Sequence, residues 1–303
     1  MNECRIGGLR SIELGVTDLE RATRFYTDVW GLDAVGSDAH RRYLRANGEE
    51  HHVVCLTQAD SAQLLGHFLA APDAAAIDAL HAQAIRSGVA VLNAPRALPE
   101  SAGGGYGLTL QGPENLCVTV SSDIARVAPR TDDHSKPEKL AHVVLNSADV
   151  PAQMRFFMQF LGFRLSDSTD RMEFMRCGAD HHTVALAYGD RLSLNHAAFA
   201  MRDIDGLMYG AGRLIENDHE IEWGPGRHGP GDNVFAYFID PDGLVVEYTT
   251  DMEQVGDSYA AKDAKYWAEF PRRPCRWGIA RKPSSRLMEA MSGKRPRPPR
   301  MTE

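Results

Sequence analysis

The hydrophobic pattern is clearest in residues 227–248, where two apolar stretches are separated by a polar turn. A first apolar stretch is followed by Asp-Pro-Asp-Gly, which favours a tight turn, and then by a second apolar stretch, Leu244 to Tyr248. The first stretch alternates two sets of residues: Phe235, Tyr237 and Ile239 with Ala236 and Phe238. This pattern predicts a β-hairpin that ends in a buried strand.

Glu247 is the exception in that second strand, whose sequence is Leu-Val-Val-Glu-Tyr. A buried carboxylate without a positive partner costs several kcal/mol, so something must compensate its charge. A metal ion would do so, and histidine is the usual companion of a carboxylate in a metal site. The strand pattern therefore predicts a metal ligand at Glu247.

Two histidines lie in similar apolar stretches, His142 in LAHVVL and His196 in LNHAAFAM. Two histidines and one carboxylate form the facial triad of non-haem Fe(II) oxygenases, which leaves the opposite coordination positions free for substrate and dioxygen. The alternative is that each of the three is a core residue with a local hydrogen-bond partner. Their joint occurrence on strands favours the metal site.

The chain contains an internal repeat with an offset of about 130 residues. Each copy predicts a strand, an Asp-capped helix and a Gly beyond its end, and a second helix pattern follows at residues 73–88 and 203–215. The matched segments are residues 9–32 with 140–163, His51-His52 with His181-His182, and residues 113–121 with 241–249. The repeat predicts an α+β module used twice in each of two tandem domains.

The repeat also tests the metal-site hypothesis from within the chain. His142 aligns with Ser11 and Glu247 with Thr119, whereas His196 aligns with Gly66 or His67. Residues needed only for packing would be expected in both copies. Their occurrence in the second copy alone favours a functional site there, and His52 and His67 are interpreted as structural.

Composition narrows the class of protein. The chain has 303 residues and a net charge of −8, which argues against a general nucleic-acid binder. It contains neither an apolar stretch long enough to span a bilayer nor a signal-peptide pattern, so we expect a cytoplasmic protein without membrane contact. The five cysteines are scattered and include no CxxC pair, which predicts reduced thiols.

The sequence resembles type I extradiol ring-cleavage dioxygenases of the vicinal oxygen chelate superfamily over most of residues 5–252. The resemblance is carried by the C-terminal hairpin, by HHTVALA at residues 181–187 and by LNHAAF around His196; the hairpin positions are His228, Tyr237, Asp240-Pro241, Gly243 and Glu247. It implies βαβββ modules that form an open, barrel-like mixed sheet with helices outside. Ala236 departs from the family's larger hydrophobic residue before the Tyr.

The resemblance also implies the roles of the site residues. His142, His196 and Glu247 are expected to bind Fe(II) or Mn(II), with a catechol and O₂ as substrates. His182 is expected to act as acid and base, whereas His181 is interpreted as structural. His228 and Tyr237 are expected to contact the substrate or the oxygen.

Two sequence features favour different ring substituents on the catechol. Trp223 stands where relatives that act on carboxylated catechols have an Arg, which favours an apolar substituent. Arg273 and Arg276 precede Trp277 in a segment that such relatives place over the site, which favours an acidic one. All three are therefore candidate substrate-binding residues.

The predicted boundaries are a non-catalytic first domain at 1–125, a linker at 126–138, a catalytic domain at 139–252 and a C-terminal extension at 253–303. The extension is expected to form partly a lid over the site and to end in a flexible, basic, Pro-rich segment. We expect a homo-oligomer, from dimer to tetramer. Three alternatives remain: a glyoxalase-like isomerase, a 4-hydroxyphenylpyruvate-type dioxygenase, and a non-catalytic, drug-sequestering protein of the bleomycin-resistance type.

Overall fold

The chain folds around two eight-stranded sheets, one from each copy of the repeat. The computed structural model describes residues 6–270 and 275–293. The strands of the first sheet are β1 (Gly8–Val16), β2 (Asp33–Ser37), β3 (Arg41–Arg45), β4 (Val54–Gln58), β5 (Gln63–Ala70), β6 (Ala90–Ala97), β7 (Tyr106–Gln111) and β8 (Cys117–Ser122). Their order across the sheet is β2-β3-β4-β1-β5-β8-β7-β6.

The second sheet repeats this order as β10-β11-β12-β9-β13-β16-β15-β14. Its strands are β9 (Lys139–Ser147), β10 (Arg164–Ser168), β11 (Met172–Arg176), β12 (Val184–Tyr188), β13 (Ser193–Ala200), β14 (Trp223–Arg227), β15 (Val234–Ile239) and β16 (Val245–Thr250). In each sheet two pairs are parallel and the rest antiparallel; the parallel pairs are β1 with β4, β5 with β8, β9 with β12, and β13 with β16. The predicted α+β fold, with two βαβββ modules in each half, is confirmed.

Each module contains one helix that begins at an aspartate. These carboxylates accept a hydrogen bond from a backbone N–H of the first turn, which satisfies a donor that the helix itself leaves free. The helices and their capping residues are α1 (Leu19–Arg24) with Asp18, α2 (Ala74–Ser87) with Asp73, α3 (Val150–Arg155) with Asp149, and α4 (Ile204–Glu216) with Asp203. The α1 and α3 helices continue as short π-helices, Phe25–Val29 and Phe156–Phe160.

The two faces of the second sheet have different roles. Tyr248, on the face that α4 covers, alternates along β16 with Glu247, which points to the opposite face. We call this opposite face, defined by His142, His196 and Glu247, the inner face. Because the helices of the modules lie on the other side, the inner face can hold polar groups.

The two halves interlock through Trp30, which follows the first π-helix. Its buried indole lies 3.9 Å from the ring of Tyr248 in the second half and meets Phe199 and Phe238 edge-on. Arg213 of α4 donates hydrogen bonds to the carbonyl oxygens of Val29 and Trp30. The first half therefore completes part of the core of the second.

The C-terminal segment folds back onto the inner face. Two short helices follow the second sheet, α5 (Ala264–Ala268) and α6 (Ser285–Met291). Leu287 and Ala290 of α6 pack against Phe235, Ile239 and Val245, three inner-face residues. In the described part of the chain no helix is long and apolar enough to cross a membrane.

Candidate metal centre

Three neighbouring strands of the second sheet bring the candidate ligands together. Ala198 of β13 pairs with His142 of β9 on one side and with Glu247 of β16 on the other. His196 lies two residues from Ala198 and therefore points to the same face. Nε2 of His142 and Nε2 of His196 lie 3.4 and 3.2 Å from Oε2 of Glu247. One ligand atom from each residue falls within 4.8 Å of the others.

Burial makes this cluster costly unless a cation is bound. Glu247 is completely buried, and its Oε2 has no hydrogen-bond partner among the described residues. Burial alone would raise the pKa of Glu247, but the imidazoles of His142 and His196 beside it outweigh burial and hold the pKa below its usual range. Burial lowers the pKa of His196, so this imidazole favours its neutral form. Two imidazoles and an unpaired carboxylate oxygen fit a divalent metal ion.

A chain of amide side chains orients His196. Its Nδ1 lies 2.8 Å from Oδ1 of Asn195, whose Nδ2 donates to Oδ1 of Asn146 at 2.9 Å. Nδ2 of Asn146 donates in turn to the carbonyl oxygen of Met291 in α6 at 2.7 Å. Nδ1 of His196 is therefore the protonated nitrogen, and Nε2 keeps its lone pair for the ion.

His182 stands beside the cluster. Its ring centre lies 4.4 Å from that of His142 and 5.2 Å from that of Phe174, and the residue is 3 % exposed. Burial lowers the pKa of His182 well below its ordinary value, and the nearby His142 adds to the effect. Gly231 comes so close that a Cβ there would lie 2.9 Å from Cε1 of His182. The loop before β15 therefore needs glycine at this position.

His228 and Tyr237 approach Glu247 from another side. Nε2 of His228 lies 3.0 Å from the Tyr237 hydroxyl and 3.8 Å from Oε1 of Glu247. Burial lowers the pKa of His228 to about 4. Burial also raises the pKa of Tyr237 well above its ordinary value, and the Glu247 charge adds to this, so the hydroxyl keeps its proton. At neutral pH the pair is uncharged.

Trp223 lies next to this pair. Its ring is stacked on Tyr237 at 5.1 Å and meets His228 at 5.3 Å, and its indole N–H is buried without a partner among the described residues. Arg276 is placed differently: its guanidinium pairs with Asp232 and is half exposed. Arg273 lies outside the described residues. Trp223 is thus a predicted substrate-binding residue that contacts both His228 and Tyr237.

The alignment of the halves is unambiguous in the structure. In the second sheet His196 pairs with Val144, and in the first sheet Gly66 pairs with Glu13, the residue equivalent to Val144. Gly66 is thus the counterpart of His196, whereas His67 pairs with Ile12 and Val118. The position was ambiguous in the sequence because the offset between the halves changes from 130 at His51-His52 to 128 at residues 113–121.

Several polar residues around the site were not predicted from the sequence. Asn195 and Asn146 orient His196, and Nδ2 of Asn233 approaches Oε1 of Glu247 at 3.4 Å. The carboxylate of Asp167 is buried behind His181. Each is a polar residue in or beside a strand, where an outward-facing side chain is the usual interpretation. A deviation from strict alternation, as in Asn195-His196, is the one hint that they face inward.

The sequence of the chain matches the model of a known protein family. The sequence model of the Glyoxalase/Bleomycin resistance protein/Dioxygenase superfamily matches residues 8–114 and 139–248. Metapyrocatechase 2 of Cupriavidus necator is 34% identical over 158 residues, which are 48% of this chain and 47% of that protein. The chain thus matches about half the length of this relative.

Two solved structures are similar over most of the chain. The Mn(II)-bound glyoxalase from Novosphingobium aromaticivorans has a TM-score of 0.85 and 39% identity, and the match covers 92% of each chain. Homoprotocatechuate 2,3-dioxygenase from Arthrobacter globiformis has a TM-score of 0.78 and 26% identity, covering 86% of this chain and 85% of its own. The fold and its duplication are therefore common to proteins that differ in name.

Proposed function

Because the chain belongs to the Glyoxalase/Bleomycin resistance protein/Dioxygenase superfamily, we propose that it is an extradiol dioxygenase. Such an enzyme uses O₂ to open a catechol ring beside the two hydroxyl groups and yields a hydroxymuconic semialdehyde-type product. The relatives named metapyrocatechase and homoprotocatechuate 2,3-dioxygenase support this class of reaction.

One observation carries the proposal. The ligand atoms of His142, His196 and Glu247 converge within 4.8 Å on the inner face, and His182 and Tyr237 stand against them. This combination supplies a metal site with an acid–base group and a hydrogen-bond donor beside it, as ring cleavage requires.

Fe(II), or Mn(II), is the proposed metal, held by His142, His196 and Glu247. When bound, it would act as a Lewis acid toward the catechol oxygens and allow electron transfer between the ring and O₂. Two neutral imidazoles and one carboxylate leave a dipositive ion with a net charge of +1. A catecholate monoanion neutralises that charge, so the buried site favours the singly ionised substrate.

His182 is the proposed acid and base. Because burial keeps the ring neutral, it can accept a proton from a substrate hydroxyl through a free lone pair. The same nitrogen can return the proton to oxygen later in the cycle. The nearby Phe174 ring and Gly231 limit the room for water around it.

Tyr237 is the proposed hydrogen-bond donor. Its hydroxyl stays protonated, and the neutral His228 at 3.0 Å fixes its position. A fixed neutral donor can stabilise negative charge that develops on an oxygen atom of the reacting complex.

We propose an apolar ring substituent, on the evidence of Trp223. The indole stacked on Tyr237 offers an apolar wall, and Arg276 is already paired with Asp232. We expect alkylcatechols to have a higher kcat/KM than catechols with a carboxylate on the side chain. Trp223→Arg should reverse the order, which a steady-state comparison of the two substrate classes would test.

The test of the proposed function is oxygen uptake. Protein purified anaerobically and loaded with Fe(II) should consume O₂ with a panel of catechols and form a yellow ring-opened product. Protein loaded with Zn(II) is the matched control, because it holds the same ligands without redox chemistry. Retained iron without oxygen uptake on any catechol would contradict the proposal and favour non-catalytic binding.

A glyoxalase-like isomerase is the second candidate, because the Mn(II)-bound neighbour at 39% identity carries that name. Such an enzyme would typically need a further carboxylate ligand. The equivalent positions in the first half are Ser11 and Thr119, which supply none. Isomerisation of a thiohemiacetal by the Mn(II)-loaded protein, without oxygen uptake on catechols, would favour this candidate.

We propose a cytoplasmic homo-oligomer, from dimer to tetramer, that binds neither nucleic acid nor membrane. The net charge of −8 supports the absence of nucleic-acid binding. Exposed apolar side chains on α4, Met208, Tyr209 and Ile215, support self-association. Light scattering would measure the oligomeric state.

A further inference from the structure

Behind His182 lies a line of buried polar groups that leads away from the metal centre. Nδ1 of His182 lies 3.1 Å from Nδ1 of His181, and Nε2 of His181 lies 3.0 Å from Oδ2 of Asp167. His181 and Asp167 are both completely buried. We call these three residues the Asp167–His181–His182 chain.

Asp167 occupies the end of this chain as an acceptor. Its Oδ1 accepts hydrogen bonds from the backbone N–H of Lys262 at 2.9 Å and from the hydroxyl of Tyr259 at 3.2 Å. Oδ2 of Asp167 is left to accept a hydrogen bond from His181. Because two donors already point at the carboxylate, its ionised form is satisfied when His181 donates the third hydrogen bond.

This arrangement determines the tautomers of both imidazoles. A neutral imidazole has one N–H and one lone pair. If His181 donates from Nε2 to Asp167, its Nδ1 carries the lone pair and must accept from Nδ1–H of His182. The lone pair of His182 is then on Nε2, the nitrogen on the far side of the ring from His181.

The first half contains the same histidine pair without the acid. Nδ1 of His51 lies 3.1 Å from Nδ1 of His52, the same distance as in the second half. The residue equivalent to Asp167 is Gly36, which pairs with Tyr43 as Asp167 pairs with Phe174. A Cβ at Gly36 would lie 2.7 Å from the carbonyl oxygen of Ser101, so this half has no room for an acidic side chain.

We propose that Asp167, acting through His181, is a positioning residue that holds His182 in the Nδ1–H tautomer with the Nε2 lone pair directed to the substrate. This inference rests on the proposed function, because it explains how His182 is prepared to accept a proton from a substrate hydroxyl. A ring held in the other tautomer would present an N–H at that place and could not accept.

Asp167→Asn tests the proposal directly. The substitution should reverse the direction of the hydrogen bonds in the Asp167–His181–His182 chain. The backbone N–H of Lys262 requires an oxygen where Oδ1 lies, so the amide NH₂ group should face His181. Nε2 of His181 must then accept, its Nδ1–H must donate to His182, and the proton of His182 moves to Nε2. The shape of the side chain is unchanged while the hydrogen-bond direction is reversed.

The first measurement uses ¹⁵N NMR of histidine-labelled, metal-free protein at pH 8, with the His182 signals assigned from their loss in His182→Gln. We expect the Nδ1–H tautomer at His182 in the wild type and the Nε2–H tautomer in Asp167→Asn. The second measurement is turnover of a catechol by the Fe(II)-loaded proteins. We expect kcat to fall roughly a hundredfold in Asp167→Asn, with KM and iron content little changed.

His51→Gln is the matched control, because it alters the equivalent pair of the half that lacks the acid. It should leave both the tautomer of His182 and kcat unchanged. An Nε2–H tautomer at His182 in the wild type would overturn the proposal even if Asp167→Asn failed to fold. An unchanged tautomer and kcat in Asp167→Asn would overturn it as well. The NMR readout needs neither metal nor substrate, so it stays valid if no catechol is turned over and the proposed function fails.

Discussion

At the positions where the second half carries His142, His196 and Glu247, the first half carries Ser11, Gly66 and Thr119. Both halves nevertheless have the same strand order, the same capped helices and the same bulges. The fold therefore does not need these polar groups. Their burial in one half is a cost that a bound ion offsets.

The residues around the ligand positions can be compared between the two halves in the same way. The first half keeps a histidine pair and an aromatic ring against it, with His52 5.0 Å from Tyr43. Burial lowers the pKa of His52 to about 3, so this ring too is neutral. A buried neutral histidine is therefore common to both halves. What distinguishes the second half is a buried carboxylate near its histidines.

The largest effect is expected from Glu247→Gln. Loss of the carboxylate should abolish metal binding and reduce turnover by at least about a thousandfold, because it removes the one charged ligand. In the wild type, metal at 100 times its Kd should add about 2.7 kcal/mol to stability; in the variant it should add none. Thermal unfolding with and without Mn(II) measures this shift. Thr119→Val, at the equivalent position, should keep the full metal-induced shift.

His182→Gln should reduce kcat by roughly a hundredfold to ten-thousandfold, because the proton acceptor is lost. Metal content should remain that of the wild type, since His182 is not a ligand in the proposed site. Steady-state oxygen uptake and metal analysis on the same sample measure both. His52→Gln in the first half is expected to keep wild-type kcat, and an equal loss in the two variants would argue against a specific role for His182.

Tyr237→Phe should lower kcat by about ten- to a hundredfold, because a single hydrogen bond to the reacting oxygens is lost. The ring and its contacts with Trp223 and His196 remain. The position equivalent to Tyr237 is Thr109, so Thr109→Val is the matched control and should be neutral for turnover. A Tyr237→Phe enzyme with wild-type kcat would limit Tyr237 to packing.

Asp240→Asn should change stability rather than turnover. Burial, together with the charge of Asp242, raises the pKa of Asp240 to about 7, whereas an unfolded Asp titrates near 4. Between these values the unfolded chain is ionised and the folded one is protonated, so stability is lost as pH rises from about 4 to about 7. The asparagine variant lacks this loss. Its stability relative to the wild type should increase by about 3–4 kcal/mol from pH 4 to pH 8, measured by urea unfolding.

The residue equivalent to Asp240 is Gly112, so no corresponding carboxyl exists there. Tyr26 of the first half donates a hydrogen bond to Asp240 at 3.0 Å. If the pH dependence persisted in Asp240→Asn, another group would have to be its source.

Much of the fold could be predicted because its signals are local and repeated. The helices α2 and α4 begin after Asp73 and Asp203, as the capping pattern indicated, and α2 ends before Gly88 in a left-handed conformation. The π-helices after α1 and α3 were not predicted, because an extra residue in a helical turn does not alter the hydrophobic pattern enough to be recognised. The packing of α6 on the inner face was also not predicted, because it depends on contacts between residues that are far apart in the sequence.

The site was predictable to the extent that its residues break an apolar strand pattern. Glu247 and the two histidines stand out because a buried charge or imidazole needs a reason. Asp167 does not, because an acidic residue in a short outer strand normally faces solvent. Its burial depends on Tyr259 and Lys262, which lie more than ninety residues away. Local sequence patterns do not reveal such long-range partners.

The indole of Trp30 has a consequence for any attempt to divide the protein. A fragment that begins at residue 139 would leave a hole beside Tyr248, Phe199 and Phe238, the size of a tryptophan ring. The two repeats should therefore melt in one cooperative transition. Separately expressed fragments would recover the metal-binding architecture only by docking together again.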